Sequence, residues 1–159
     1  MWQRFQTLFL ALVVILMIAS LFLPIWTYVD GTGTRYDLYP IHYSITTIGD
    51  AGEAKETAYF PYSLTAILMV AAATIAIQSI RRYDNRPTQM LLTAINTFVL
   101  MAVLGSAIYF GFRLNKEFQY VGLSRLALWT IFGAVAFNWI AMRFIRRDEK
   151  IVRDSERLR

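Results

Sequence analysis

Pro87–Phe112, PTQMLLTAINTFVLMAVLGSAIYFGF, runs for 26 residues without an Asp, Glu, Lys, Arg or His. Three further stretches share that property: Phe5–Val29, Thr57–Ile80 and Leu126–Met142. A helix rises about 1.5 Å per residue and a bilayer's hydrocarbon core is roughly 30 Å thick, so about 20 residues cross it. The first three stretches clear that length, and the 17 residues of the fourth are flanked by Arg125 and Arg143, whose long stems reach headgroup level. The sequence therefore predicts an all-α membrane protein, a four-transmembrane-helix bundle. The spans fall at about 5–26, 58–80, 87–112 and 123–145, with an outer loop at 27–57 and a cytoplasmic tail at 146–159. Residues 1–159 make one domain, because four crossings consume most of the chain.

Composition agrees. Hydrophobic residues are 57% and charged residues 17%, against roughly 25% charged in soluble domains. The net charge of +5 is gathered beside the span ends, which is membrane topology and not a nucleic-acid surface. The absence of Cys excludes disulfides, thiolate metal ligands and cysteine nucleophiles. The first apolar run is too long for a signal-peptide core of about 7–15 residues and has no A-x-A-like site after it, so it reads as a retained signal anchor.

Charge also orients the spans. Arg4, the loop 81–86 and the tail from Arg143 carry eleven bases and five acids, whereas the loops 30–56 and 113–125 carry five bases. The positive-inside rule then puts both termini in the cytoplasm. Trp26, Tyr28, Tyr59, Tyr62, Tyr109 and Tyr120 fall at the outer interface, and Trp2, Tyr83 and Trp139 near the inner one.

Pro24 is expected to end or kink the first helix. Trp26–Val29 and Thr34–Tyr39 flank Asp30-Gly31-Thr32-Gly33 and predict a small β-hairpin, with Asp37 as its poor fit. From Ile41 a loop runs to the turn-rich Gly49–Gly52, and Glu53–Glu56 reads as the start of a helix entering the second span. The six-residue link 81–86 forces an antiparallel helix pair, with Pro87 in the first turn of the next helix. Ala72 and Ala76, Ala102 and Ser106, Ala107 and Gly111, and Ala134 and Asn138 each stand four apart, and such small faces let helices approach closely in lipid. The tail extends the fourth helix, with Phe144, Ile151 and Leu158 in an apolar stripe flanked by Ile145 and Val152.

Catalytic chemistry finds little footing. His42 is the single histidine, so a metal site lacks ligands, and a base assisted by Asp37 or Asp50 is outweighed by a loop residue packed on the bundle. The loop carboxylates Asp30, Asp37, Asp50, Glu53 and Glu56 have no spacing that pairs them. Ser44 and Ser63 lie in no nucleophile motif, and Gly31-x-Gly33 lacks the rest of a dinucleotide fingerprint. No catalytic residue, metal ligand or cofactor is assigned.

Contact residues are better supported. Asn96, Ser106 and Asn138 are intramembrane polar contacts, either helix-to-helix glue or the lining of a pocket for a small neutral molecule. The spans hold no ionisable group, which argues against proton relays and charged-substrate pumping. Arg81, Arg82, Arg86, Arg146 and Arg147 are suited to anionic lipid or an acidic partner, and Arg143 shares their side. Trp26, Tyr28 and Tyr36 in the hairpin, with Ile151 and Val152 in the tail, form the expected interaction surfaces.

The opening Met1–Leu8, MWQRFQTL, and the closing Arg143–Lys150, RFIRRDEK, with Arg157-Leu158-Arg159, resemble a Bacteroidota family of four-helix inner-membrane proteins described as a domain of unknown function. The resemblance spans the chain and implies a bacterial cytoplasmic-membrane location, with no catalytic residues to carry over. The layout is also similar in outline to claudin-type tetraspan proteins, without their paired loop cysteines. The function expected is that of a non-enzymatic accessory or scaffold subunit, acting through membrane lipids and a protein partner or self-association. The alternative is a lipid or small neutral-molecule binding or transport protein, and neither reading involves nucleic acid.

Overall fold

A computed structural model describes residues 2–49, 52–119 and 126–157, with the side chains of 2–4, 48–49, 52–54 and 152–157 left undescribed. Four helices, α1 (Trp2–Leu21), α2 (Ser63–Arg81), α3 (Arg86–Phe118) and α4 (Leu126–Arg157), carry between α1 and α2 the strands β1 (Trp26–Val29), β2 (Arg35–Leu38), β3 (Tyr43–Gly49) and β4 (Gly52–Ala58). The helices form a ring in which α1 and α3 each pack between α2 and α4. Three helices are long and apolar enough to cross a membrane, and Phe5–Leu21 is a shorter apolar helix.

The expected hairpin is instead a four-stranded antiparallel meander in the order β1-β2-β3-β4. The β1–β2 pair lies where the sequence placed it, with Trp26 opposite Leu38 and Val29 opposite Arg35. Ile41–Gly49 and Glu53–Glu56, read as loop and helix start, contribute the other two strands. Tyr43–Ile48 is rich in β-branched residues, which suit a pleated surface. Gly52–Ala58 has little intrinsic strand preference and is extended because it pairs along β3, from Gly49 opposite Gly52 to Tyr43 opposite Ala58. Asp50 and Ala51 between them lie outside the described residues. Asp37 fits after all: it is buried, accepts from Thr27 Oγ1 at 2.7 Å, and meets Arg35 Nε at 2.7 Å.

Helix limits also shift. The first helix ends at Leu21, just ahead of the Pro24 expected to end or kink it, and the chain tightens there through Phe22 N–H to Ala19 O and Leu23 N–H to Ser20 O. Ile25 N–H then bonds Leu38 O at 2.7 Å and starts the sheet. The second helix begins at Ser63 because residues through Ala58 belong to β4. The third opens on an Asn85 cap, whose side chain accepts from Thr88 N–H, with Pro87 in its first turn. It overruns the expected end by six residues, through Arg113–Phe118, to a left-handed Gln119. The fourth continues into the tail as a single helix, as the stripe implied. Tyr120, Arg125 and Leu158 lie outside the described residues.

The core packs Leu10, Met17, Leu100 and Ile131 together with a set of polar residues, and the exterior carries large apolar side chains. Gln6, Ser20, Thr65, Ser79, Gln89, Thr93, Asn96 and Asn138 are buried, while Ile15, Phe22, Ile67, Phe98, Phe112 and Trp129 are exposed. Ala72, Ala76, Ala107 and Ala134 are fully buried, whereas Ala102 is exposed.

Candidate functional site

Side chains, more than backbone, seat the sheet on the bundle. The extra turns of α3 carry Asn115 and Phe118 up to it. Trp26 Nε1 donates to Asn115 Oδ1 at 2.6 Å, and the Phe118 ring lies 5.8, 5.3 and 4.7 Å from those of Trp26, Tyr28 and Tyr36. The three aromatics assigned to an outward surface thus converge on α3, with Trp26 only 2% exposed and Tyr28 and Tyr36 half-buried. Nearby, Tyr43 packs on Tyr62 and Tyr62 edge-on against Phe110, and their phenol pKa values are raised, chiefly by burial. His42 stacks on Tyr39 and meets the Tyr59 ring at a tilt, and burial, helped by Lys55, lowers its pKa.

Inside the bundle a chain of hydrogen bonds crosses three helices. Ser79 on α2 shares a bond with Thr93 Oγ1 on α3 at 2.9 Å, and Thr93 Oγ1 donates to Gln89 O. Asn138 on α4 donates to Thr93 O at 3.2 Å and Thr97 Oγ1 at 2.9 Å, and accepts from Asn96 Nδ2 at 3.1 Å. Ser106 does not join Asn96 and Asn138: it lies ten residues, about 15 Å, along α3 and donates to Val103 O of its own helix. The side-chain amide of Gln89 and the oxygens Gln6 Oε1 and Asn96 Oδ1 are buried without a partner within the described residues. The sequence had Asn96 and Asn138 but passed over Gln6 and Gln89, whose only signal is a carboxamide next to or within an apolar run.

At the opposite end from the sheet, Arg81, Arg82, Arg146 and Arg147 are exposed. Arg86 pairs with Asp148 at 3.1 Å and so ties the first turn of α3 to the extension of α4. Ile151 is 54% exposed, and the Val152 side chain lies outside the described residues. A groove of about 480 Å³ lies along α4 between Trp139, Ile140, Arg143, Phe144 and Arg147. A second, of about 190 Å³, lies near the sheet between Ile25, Trp26, Ala107, Ile108, Gly111, Phe112, Asn115 and Leu128. Neither is lined by Asn96, Ser106 or Asn138. Among the described residues no group of three His, Cys, Asp or Glu is placed to hold a metal.

A bundle of four helices under a small sheet, with a polar spine and a basic end, is therefore the pattern to match. The family model described as "Domain of unknown function (DUF4293)" matches residues 2–158. The chain belongs to the DUF4293 family. No curated protein matches it significantly. Membership of DUF4293 covers the sheet, the four helices and the tail together, so these parts form one family unit.

Proposed function

We propose that this DUF4293 protein is a non-enzymatic integral protein of the bacterial cytoplasmic membrane, with both termini in the cytoplasm, serving as an accessory or scaffold subunit through lipid and protein contacts. The observation that carries the membrane reading is the apolar exterior of the bundle, with exposed Ile, Leu or Phe side chains on every helix, around a core that includes amides and hydroxyls. In water such a surface would associate without limit. In lipid it is solvated, and the buried Ser79–Thr93–Asn138–Asn96 chain becomes the interhelical glue that lipid cannot replace.

The scaffold reading is supported by what lies beyond the apolar belt. β4 is an edge strand whose residues 55–58 are all exposed, and the α4 extension displays Ile151. Both are surfaces that a partner subunit or a second copy would cover, while Arg81, Arg82, Arg146 and Arg147 face anionic headgroups. The alternative, a lipid-binding or lipid-transfer role, is favoured by the groove along α4.

Gentle extraction of the tagged protein from its own membrane, followed by mass spectrometry of what stays bound, tests this reading. A stoichiometric protein partner, lost when Ile151 and Val152 are both changed to Asp, is the expected result. A protein that washes off membranes at alkaline pH would overturn the membrane assignment. Retention of a single lipid and no protein would favour the alternative.

A further inference from the structure

The groove along α4 joins two chemistries one helical turn apart. Trp139, Arg143 and Arg147 stand at i, i+4 and i+8 and so share a face, and Ile140 and Phe144 form the adjoining row. Trp139 is 57% exposed, and the Arg143 guanidinium lies 5.2 Å from its ring centroid, which holds a cation over the face of the indole. The Phe144 ring is stacked on Phe9 at 5.7 Å and on Phe5 at 6.4 Å, so α1 fixes the second wall. Trp139 and Ile140 lie within the uncharged run Leu126–Met142, and Arg143, Phe144 and Arg147 follow it.

We infer that this groove is a binding site for one anionic phospholipid, with its phosphate-bearing headgroup at Arg143 and Arg147 and the start of its acyl chains along Trp139, Ile140 and Phe144. The inference rests on the membrane reading above and deepens it by placing the lipid contact. At about 1.5 Å per residue, Arg143 and Arg147 lie about 6 and 12 Å along α4 from Trp139, so one elongated amphiphile can meet the indole and both guanidinium groups. An acidic peptide would satisfy the arginines but not the apolar half, which faces outward at the level where Trp and Arg side chains meet headgroups. A guanidinium presents a planar fork of donors to a phosphate, which a lysine would not. Arg146, though exposed, does not line the groove, and Arg86 is committed to Asp148.

The test uses the full chain in phosphatidylcholine nanodiscs doped with phosphatidylglycerol. Native mass spectrometry is expected to retain one phosphatidylglycerol per chain, enriched over phosphatidylcholine. Enrichment should fall about fivefold for each arginine removed, so R143Q/R147Q should lose more than tenfold while R146Q keeps it. If R146Q loses as much as R143Q/R147Q, the charge acts diffusely and the site is wrong. Because the double variant could misfold, the unsubstituted chain is also examined with brominated lipids. Brominated phosphatidylglycerol should quench more Trp fluorescence than brominated phosphatidylcholine, and Trp139→Phe should remove that difference. Equal quenching by the two lipids, or an acidic protein held at the groove in place of lipid, would overturn the proposal. Failure of the chain to float with vesicles would overturn the membrane reading itself, whereas flotation without phosphatidylglycerol preference would overturn only the groove.

Discussion

The indole N–H of Trp26 and the side-chain oxygen of Asn115 meet at 2.6 Å across 89 positions of sequence. This bond joins the first residue of β1 to a turn of α3 that lies beyond the apolar run. Around it the rings of Tyr28, Tyr36 and Phe118 close a small aromatic core, so the sheet is a cap built onto the bundle and not a free appendage.

Asn115→Ala should therefore loosen the cap. It leaves a buried indole donor unpaired, at a cost of about 1–3 kcal/mol. Trp26→Ala should cost more, about 3–5 kcal/mol, because a cavity is added. Limited proteolysis across residues 30–58, at fixed detergent, reports the order: Trp26→Ala is cut faster than Asn115→Ala, and both faster than the unsubstituted chain.

Asp37 in β2 should behave as a buried pair and not as a surface acid. Asp37→Ala strands Thr27 Oγ1 and removes the partner of Arg35, with an expected loss of about 1–3 kcal/mol in thermal unfolding. Arg35→Ala alone should cost about 1 kcal/mol or less, since Arg35 is half-exposed and water replaces much of what it loses. Equal effects from the two changes would contradict this arrangement.

The polar spine gives a coupling test. Asn138 bonds Asn96, Thr93 and Thr97 at once. Asn138→Ala should destabilise the bundle by about 0.6–2 kcal/mol, and a double-mutant cycle with Asn96→Ala should be non-additive. A parallel cycle between Ser106→Ala and Asn138→Ala should be additive, because Ser106 bonds its own helix.

Where α1 meets α4, a Cβ placed on Gly133 would lie 3.4 Å from Leu16 Cδ1. Gly133→Ala should then be close to neutral in unfolding measurements, within about 0.5 kcal/mol. Gly133→Leu should cost about 1–3 kcal/mol by forcing the two helices apart. Gly105 has open space at the same position, so Gly105→Leu should not carry that cost.

Acidification should weaken the cap through His42. Its folded pKa lies below the ordinary imidazole value because burial and, secondarily, Lys55 oppose its charge. The unfolded chain then takes up a proton first as the pH falls. The stability this group contributes is complete above about pH 6.5, declines as the pH drops through that value, and levels off below the folded pKa. Hydrogen exchange in β2 and β3 between about pH 7.5 and 5.5 should show falling protection, and His42→Gln should flatten the profile. An unchanged slope in His42→Gln would assign the effect to another group.

Much of this architecture was legible in the amino-acid order. Long uncharged runs admit few folded arrangements, so the helices, their antiparallel succession and the continuation of the fourth into the tail follow from local composition. The β1–β2 pairing was legible for the same kind of reason, with Asp30–Gly33 forming a turn between two aromatic strands. The second half of the sheet was not. Gly52–Ala58 has the composition of a helix start, and only its pairing along Tyr43–Gly49, a contact between segments, makes it a strand.

The same division holds for the candidate sites. Residue types alone excluded cysteine chemistry and pointed to Asn96, Asn138 and the basic end, because the cost of taking a carboxamide or a guanidinium out of water is a property of the group itself. Which of them meet is a property of the packing. Asn96 reaches Asn138 while Ser106 turns back to its own helix, Arg86 is taken by Asp148, and Arg143 lies over Trp139 beside Arg147. Helix rotation and offset decide those meetings. They are set by which small residues let the backbones approach and how far each helix overruns its apolar run, as α3 does to carry Asn115 to Trp26.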